Sequence, residues 1–141
     1  APQAEFEGGN QMQRRILIID DEQDIREVAA ASLELVGGFA VLTEASGDAG
    51  IAAARREQPD AILLDLMMPE MDGFETLKRL KQDESTEHIP VILLTARAQS
   101  LGAVPLAAGA VAVMVKPFDP MRLANDVEAI LLWERGGSNS A

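Results

Sequence analysis

The 141-residue chain contains no cysteine and no tyrosine, and it has a single histidine. Without cysteine, disulfides and thiolate metal sites are excluded, a composition that fits a reducing cytosol. Lysine and arginine number only 12 against 23 aspartates and glutamates, a net charge of −11. That balance argues against unaided nucleic-acid binding, which needs a basic face to displace counterions from phosphates. Excess acid by itself serves solubility. No apolar run approaches the length that spans a bilayer, so no membrane partner is expected. The acidic, polar N-terminus also lacks the basic region and apolar core of a secretory signal. No Gly-x-Gly-x-x-Gly follows the first apolar run, and Asp20-Asp21-Glu22 at that place would repel a pyrophosphate. Membrane-spanning and dinucleotide-binding classes are thereby set aside, and a cytoplasmic chain is expected.

What remains is a globular composition, 48% hydrophobic and 25% charged, in a chain long enough to bury one sizeable core. Residues 1–13 are polar, with Pro2, Gly8, Gly9 and no periodicity, and read as a disordered leader. A single domain is expected over residues 14–134, with a flexible tail over residues 135–141 that opens on Gly136-Gly137-Ser138.

Within the domain, short apolar runs alternate with helical patterns. Ile16 to Ile19, Phe39 to Ala45, Ala61 to Asp65, Val91 to Thr95 and Ala110 to Val115 read as strands. Ile25, Val28, Ala29, Ser32, Leu33 and Val36 recur at helical spacing and stop at Gly37-Gly38. Asp48 to Glu57 gives an alanine-rich helix with Ala49, Ile51, Ala52 and Ala53 available for packing. Phe74, Leu77 and Leu80 mark the face of a third helix behind Asp72-Gly73. A last helix starts at Asp119 and Pro120, with Met121, Leu123, Val127, Ile130 and Leu131 as its apolar positions. Between Ala96 and Gly109, Gly102 and Pro105 interrupt the crossover, so the fourth helix is expected to be irregular or shortened. Five strand-helix units at this spacing imply an α/β fold with a five-stranded parallel sheet, right-handed crossovers and helices on both faces.

A parallel sheet gathers the carboxyl ends of its strands at one edge, where ligands bind. Four apolar runs finish there on groups able to handle a phosphate and its metal: Asp20 with Asp21, Asp65, Thr95 and Lys116. Crowded carboxylates repel and each gains from a cation. Hard oxygen ligands with open water positions suit Mg2+. Asp65, ionised at neutral pH, is the candidate nucleophile toward phosphorus. Lys116 supplies a point charge and Thr95 a hydrogen bond to phosphoryl oxygens. A hydrolase with an aspartate nucleophile would need a second acid two residues on, and that position holds Met67. The lone histidine, His88, falls in a loop and receives no role.

These residues, and the stretch Asp65-Leu66-Met67-Met68-Pro69-Glu70-Met71-Asp72-Gly73 with Leu93-Leu94-Thr95-Ala96-Arg97-Ala98 and Val115-Lys116-Pro117-Phe118, resemble the receiver domains of two-component response regulators. The resemblance runs from about Arg15 to Trp133. It implies a flavodoxin-like (βα)5 doubly wound fold with strand order 2-1-3-4-5 and a cis bond before Pro117. It also implies a regulatory phosphoacceptor, not an enzyme in the ordinary sense, although such domains contribute to their own phosphorylation and dephosphorylation. Asp65 takes the phosphoryl group from a sensor histidine kinase or phosphotransfer protein, and Thr95 and Lys116 assist. Mg2+ is held by Asp21 and Asp65, with Asp20 nearby and the backbone carbonyl of Met67. A cytoplasmic location and an unidentified output protein or effector domain complete what the resemblance implies.

The chain departs from the family at two places on one face. An aromatic usually stands three positions before the lysine, and together with the threonine it forms the family's switch; here that site is Val113. Together with the broken fourth crossover, this departure leaves a second reading, a phosphorylation-independent binding module on the same fold.

Overall fold

The computed structural model describes residues 13–68 and 71–133. The disordered leader expected up to residue 13 therefore lies outside the described residues except for Gln13, whose side-chain amide donates to the Gly38 carbonyl at 3.1 Å. Pro69 and Glu70 and the tail expected over residues 135–141 lie outside them as well.

Strand β1 (Arg15–Ile19) leads into helix α1 (Gln23–Leu35), then β2 (Ala40–Glu44), α2 (Gly47–Glu57), β3 (Ala61–Asp65) and α3 (Gly73–Gln82). Strand β4 (Val91–Thr95) is followed by two four-residue helices, α4 (Ala98–Leu101) and α5 (Val104–Ala107), then β5 (Ala112–Val115) and α6 (Leu123–Leu131). All pairings are parallel, in the order β2-β1-β3-β4-β5. The parallel sheet expected from the alternation, in the strand order the resemblance implies, is the one observed. Among the described residues, no helix is long and apolar enough to cross a membrane.

The apolar runs behave as strands because both faces of each central strand are covered. Ile16 to Ile19, Ala61 to Leu64 and Val91 to Leu94 are entirely buried. Ile16, Ile18, Leu63, Ile92 and Leu94 pack on Ala29 and Leu33 of α1 and on Leu123, Ala124 and Val127 of α6. Leu17, Ile19, Ile62, Leu64 and Leu93 face the other way, onto Ile51, Ala53 and Ala54 of α2 and Leu77 and Leu80 of α3. Small residues let α2 lie close to the sheet: a Cβ at Gly50 would collide with the Ile19 side chain. Caps fix where the helices begin. The Ser46 hydroxyl accepts from Ala49 N–H at 3.2 Å, and the Asp72 carboxylate accepts from Glu75 N–H at 2.9 Å. Trp133 follows α6 and closes on Phe39, ring centroids 5.7 Å apart, with the Arg14 guanidinium 4.4 Å from its centroid.

Four sequence expectations shift. Val28 and Ala52 are exposed, because the stripe that faces the sheet is narrower than the apolar pattern and runs through Ala29, Ser32 and Leu33 in α1 and Ile51, Ala53 and Ala54 in α2. Met121 is also exposed, since residues 119–122 form a turn ahead of α6 and displace it from the helical phase. Strand β5 starts at Ala112 rather than Ala110, because the Ala110 N–H is taken by the Pro105 carbonyl at 3.0 Å. The interrupted crossover is as expected: Gly102, at φ 57°, separates α4 from α5, and Pro105 stands in the first turn of α5.

Candidate functional site

The end of each central strand delivers one member of the site. Asp20 follows β1, its N–H bonded to the Glu44 carbonyl of β2 at 3.1 Å. Asp65 is the last residue of β3, and Thr95 that of β4. Lys116 follows β5, and its N–H donates to the Thr95 carbonyl at 2.9 Å, so the last two are joined through the main chain. The Lys116–Pro117 peptide is cis.

Burial separates the acids. Asp20 and Asp65 are buried, whereas Asp21, one residue further along the loop, is exposed. Even so, one carboxylate oxygen from each of Asp20, Asp21 and Asp65 lies within 4.8 Å of the others. The Lys116 ammonium reaches into this cluster, 3.0 Å from Asp20 Oδ2 and 3.2 Å from Asp65 Oδ1. Asp20 Oδ1 accepts from Glu22 N–H at 2.9 Å, and Asp65 Oδ1 from Met67 N–H at 3.2 Å. Asp20 Oδ2, in contrast, has no donor aligned for a hydrogen bond and is held by the ion pair alone.

The electrostatics follow from this crowding. Burial, with the Asp20 charge adding to it, pushes the Asp65 carboxyl up to about 6, against the pull of Lys116 and of the Met67 N–H. Burial also disfavours the charge on Lys116, but the Asp20 and Asp65 carboxylates outweigh it and hold the ammonium above the ordinary lysine value. One ammonium thus serves a cluster of three carboxylates, and one buried carboxylate oxygen has no aligned donor. Those are the needs a hard divalent cation meets, so the residues present fit Mg2+.

Thr95 is buried, and its Oγ1 accepts from Arg97 N–H at 3.1 Å. The hydroxyl proton remains available to a ligand. Met67 follows Asp65 by two residues with its side chain largely in solvent, while Met68 is buried and Met71 packs against the core. Val113 pairs with Leu93 in the sheet and is half-buried against the α2–α3 side of the core. His88 is exposed in its loop.

Two contributors were not singled out in the sequence. Gly73 opens α3 against the site itself: its N–H donates to the Leu66 carbonyl at 2.9 Å, and a Cβ there would lie 2.5 Å from Leu66 Cα and 2.6 Å from the Asp65 carbonyl oxygen. Glu22 carries a third carboxylate to Lys116, at 3.4 Å. The glycine had a signal in Asp72-Gly73, which read only as a helix start. Glu22 had none, because 94 residues separate it from Lys116.

Comparison with known proteins agrees with this geometry. The family model for the response regulator receiver domain matches residues 16–128. The DNA-binding dual master transcriptional regulator RpaA of Synechocystis sp. is 42% identical over 118 residues, covering 83% of this chain and 48% of that protein. The chain spans about half the length of the curated relatives it matches. Among solved structures, the Vibrio cholerae chemotaxis protein CheY4 superimposes with a TM-score of 0.77 at 29% identity, over 84% of this chain and 98% of that one. The receiver domain of sensor histidine kinase PA1611 from Pseudomonas aeruginosa PAO1, solved with a magnesium ion coordinated in its active site cleft, gives 0.74 at 29% identity, with the same coverage of each chain. By the family match, the fold and the residues at its strand ends, this chain belongs to the response regulator receiver domains of two-component signalling.

Proposed function

We propose that residues 14–134 form a phosphoacceptor domain in which Asp65 takes a phosphoryl group from a sensor histidine kinase or phosphotransfer protein. The observation that carries this reading is the placement of the Lys116 ammonium at 3.0 and 3.2 Å from the buried Asp20 and Asp65 carboxylates, with Asp21 beside them. Asp65, at about 6, is mostly ionised at neutral pH and needs no base. Its carboxylate oxygen forms the bond to phosphorus as the donor's nitrogen–phosphorus bond breaks, and the electron pair leaves with the donor imidazole. Lys116 exchanges its contact with Asp65 for a phosphoryl oxygen, and the free proton of Thr95 serves a second. Asp21, Asp65 and the Met67 carbonyl, with Asp20 behind them, would hold Mg2+. When bound, the ion supplies positive charge that relieves the carboxylate repulsion and neutralises phosphoryl oxygens.

In the same reading the domain is cytoplasmic and assists its own phosphorylation and dephosphorylation. Met67 has no hydrogen-bonding group to orient an attacking water, which favours a long-lived phosphoryl group. The phosphorylated state changes affinity for an output protein or effector domain by population shift. Thr95 initiates that shift, and Val113 takes the place of the usual aromatic in it. RpaA is a DNA-binding regulator by name. Here the net charge of −11 favours leaving DNA contact to another domain or partner. The complete set of Asp20, Asp21, Asp65, Thr95 and Lys116 disfavours a phosphorylation-independent binding module. Acetyl phosphate with Mg2+ is expected to label the domain, and Asp65→Ala to abolish labelling while the far-ultraviolet circular dichroism stays unchanged. Labelling that survives in Asp65→Ala would overturn the assignment.

A further inference from the structure

Lys116 carries three N–H donors, and three carboxylates surround it. Two of these, on Asp20 and Asp65, are buried and fixed by the ends of β1 and β3. The third is on Glu22, 3.4 Å away, with 61% of its side chain exposed. Glu22 is anchored at its main chain, where its N–H donates to Asp20 Oδ1 at 2.9 Å. Its carboxylate is the solvent-exposed one of the three around an ammonium whose own side chain keeps only 14% exposure. A phosphoryl oxygen arriving from solvent meets Lys116 from that side. It meets a negative charge already there.

We infer that Glu22 is a positioning residue that occupies, in the resting domain, the approach to Lys116 that a phosphoryl oxygen takes, and so restrains phosphoryl entry. The inference rests on the phosphoacceptor reading of Asp65. Of the three contacts on the ammonium, this one yields most readily. It is the longest, and its acid is the only exposed one, so releasing it returns a carboxylate to water rather than leaving a charge buried. The buried pairs keep the lysine aimed at the site meanwhile.

The test uses the full chain with saturating Mg2+. Beryllofluoride affinity and the rate of labelling by acetyl phosphate are measured for the wild type, Glu22→Gln, Glu22→Asp and Asp24→Asn. Glu22→Gln keeps the size and removes the charge. It is expected to bind beryllofluoride more tightly and to label faster, each by about two- to fivefold, the range of a partly exposed ion pair. The gain should persist at 0.5 M salt in part, since contact rather than distant field sets it. Glu22→Asp retains the charge on a shorter arm and is expected to fall between the two. Asp24 is an exposed acid in the first turn of α1, and its neutralisation controls for general charge. Unchanged or weaker beryllofluoride binding in Glu22→Gln overturns the inference, and so does an equal gain in Asp24→Asn. If the wild type is not labelled at all, the phosphoacceptor reading fails and takes this inference with it, an outcome distinct from labelling that is indifferent to Glu22.

Discussion

Asp20 and Asp65 stand at the ends of strands in which Ile16 to Ile19 and Ala61 to Leu64 are fully buried. The crossover from β4 to β5, by contrast, is carried by two four-residue helices in which only Pro105 is buried. Both regions adjoin the Thr95–Lys116 edge of the sheet, yet they are held by different means. The carboxylates are positioned by the core, so their geometry has the stability of the whole domain. The crossover has little apolar surface to lose on opening, and its stability is local. The two regions are thus separable in this molecule: the charged groups sit on a rigid edge, next to a segment held by few buried side chains.

The broadest test of that contrast is native-state hydrogen exchange. Amides of β1 and β3 are expected to exchange only through global unfolding, and those of α4 and α5 at least about a hundredfold faster, in line with the span of local opening energies. Uniform protection across Thr95 to Val113 would erase the contrast. A smaller effect is expected at the rigid edge itself. Lys116→Ala leaves Asp20 and Asp65 buried without a counter-charge and should destabilise the metal-free domain by about 2–3 kcal/mol, less than a fully buried pair because the lysine touches solvent. Urea unfolding reads this, and added Mg2+ should restore much of the loss. If stability is unaffected, the ion pairs do not hold the edge together.

The smallest of the three concerns pH. The folded Asp65 pKa of about 6 lies above the ordinary value of 3.8, so the folded form binds its proton more tightly than the unfolded chain. Ionisation therefore costs stability; the loss builds between those two values and is complete above about 6. In metal-free buffer, Asp65→Asn should raise stability at pH 8 by about 1–2 kcal/mol, below the ceiling set by 1.36 kcal/mol per pKa unit because the Lys116 contact is lost too. The gain should vanish near pH 4. A gain equal at both pH values would show that carboxylate burial is not its source.

The same contrast governs how far the sequence could be read. Strand runs such as Ile16 to Ile19 and Val91 to Leu94 were legible because burial on both faces demands unbroken apolar residues, and Gly102 with Pro105 announced the broken crossover through backbone chemistry alone. Asp65, Thr95 and Lys116 were legible as strand-terminal polar residues. Which member of Asp20-Asp21 turns inward was not, since both follow the same run and only the exit of the chain from β1 decides it. Val28, Ala52 and Met121 misled because an apolar side chain tolerates solvent, so a helical pattern overstates the width of the buried stripe. The approach of Glu22 to Lys116 exists only once the sheet has brought the ends of β1 and β5 to the same edge.

One residue in the site has no functional group at all. Position 73 admits only a hydrogen where another side chain would begin, because Leu66 Cα and the Asp65 carbonyl oxygen already fill that space. The restriction is one of room, imposed by the backbone of the proposed phosphoacceptor on the first turn of its neighbouring helix. Any larger residue there must either lift α3 or push the end of β3, and the second displacement moves Asp65 relative to Lys116. Tolerance to substitution is therefore narrow at this silent position, and a change at Gly73 would disturb the proposed phosphoacceptor with every reactive group still in the chain.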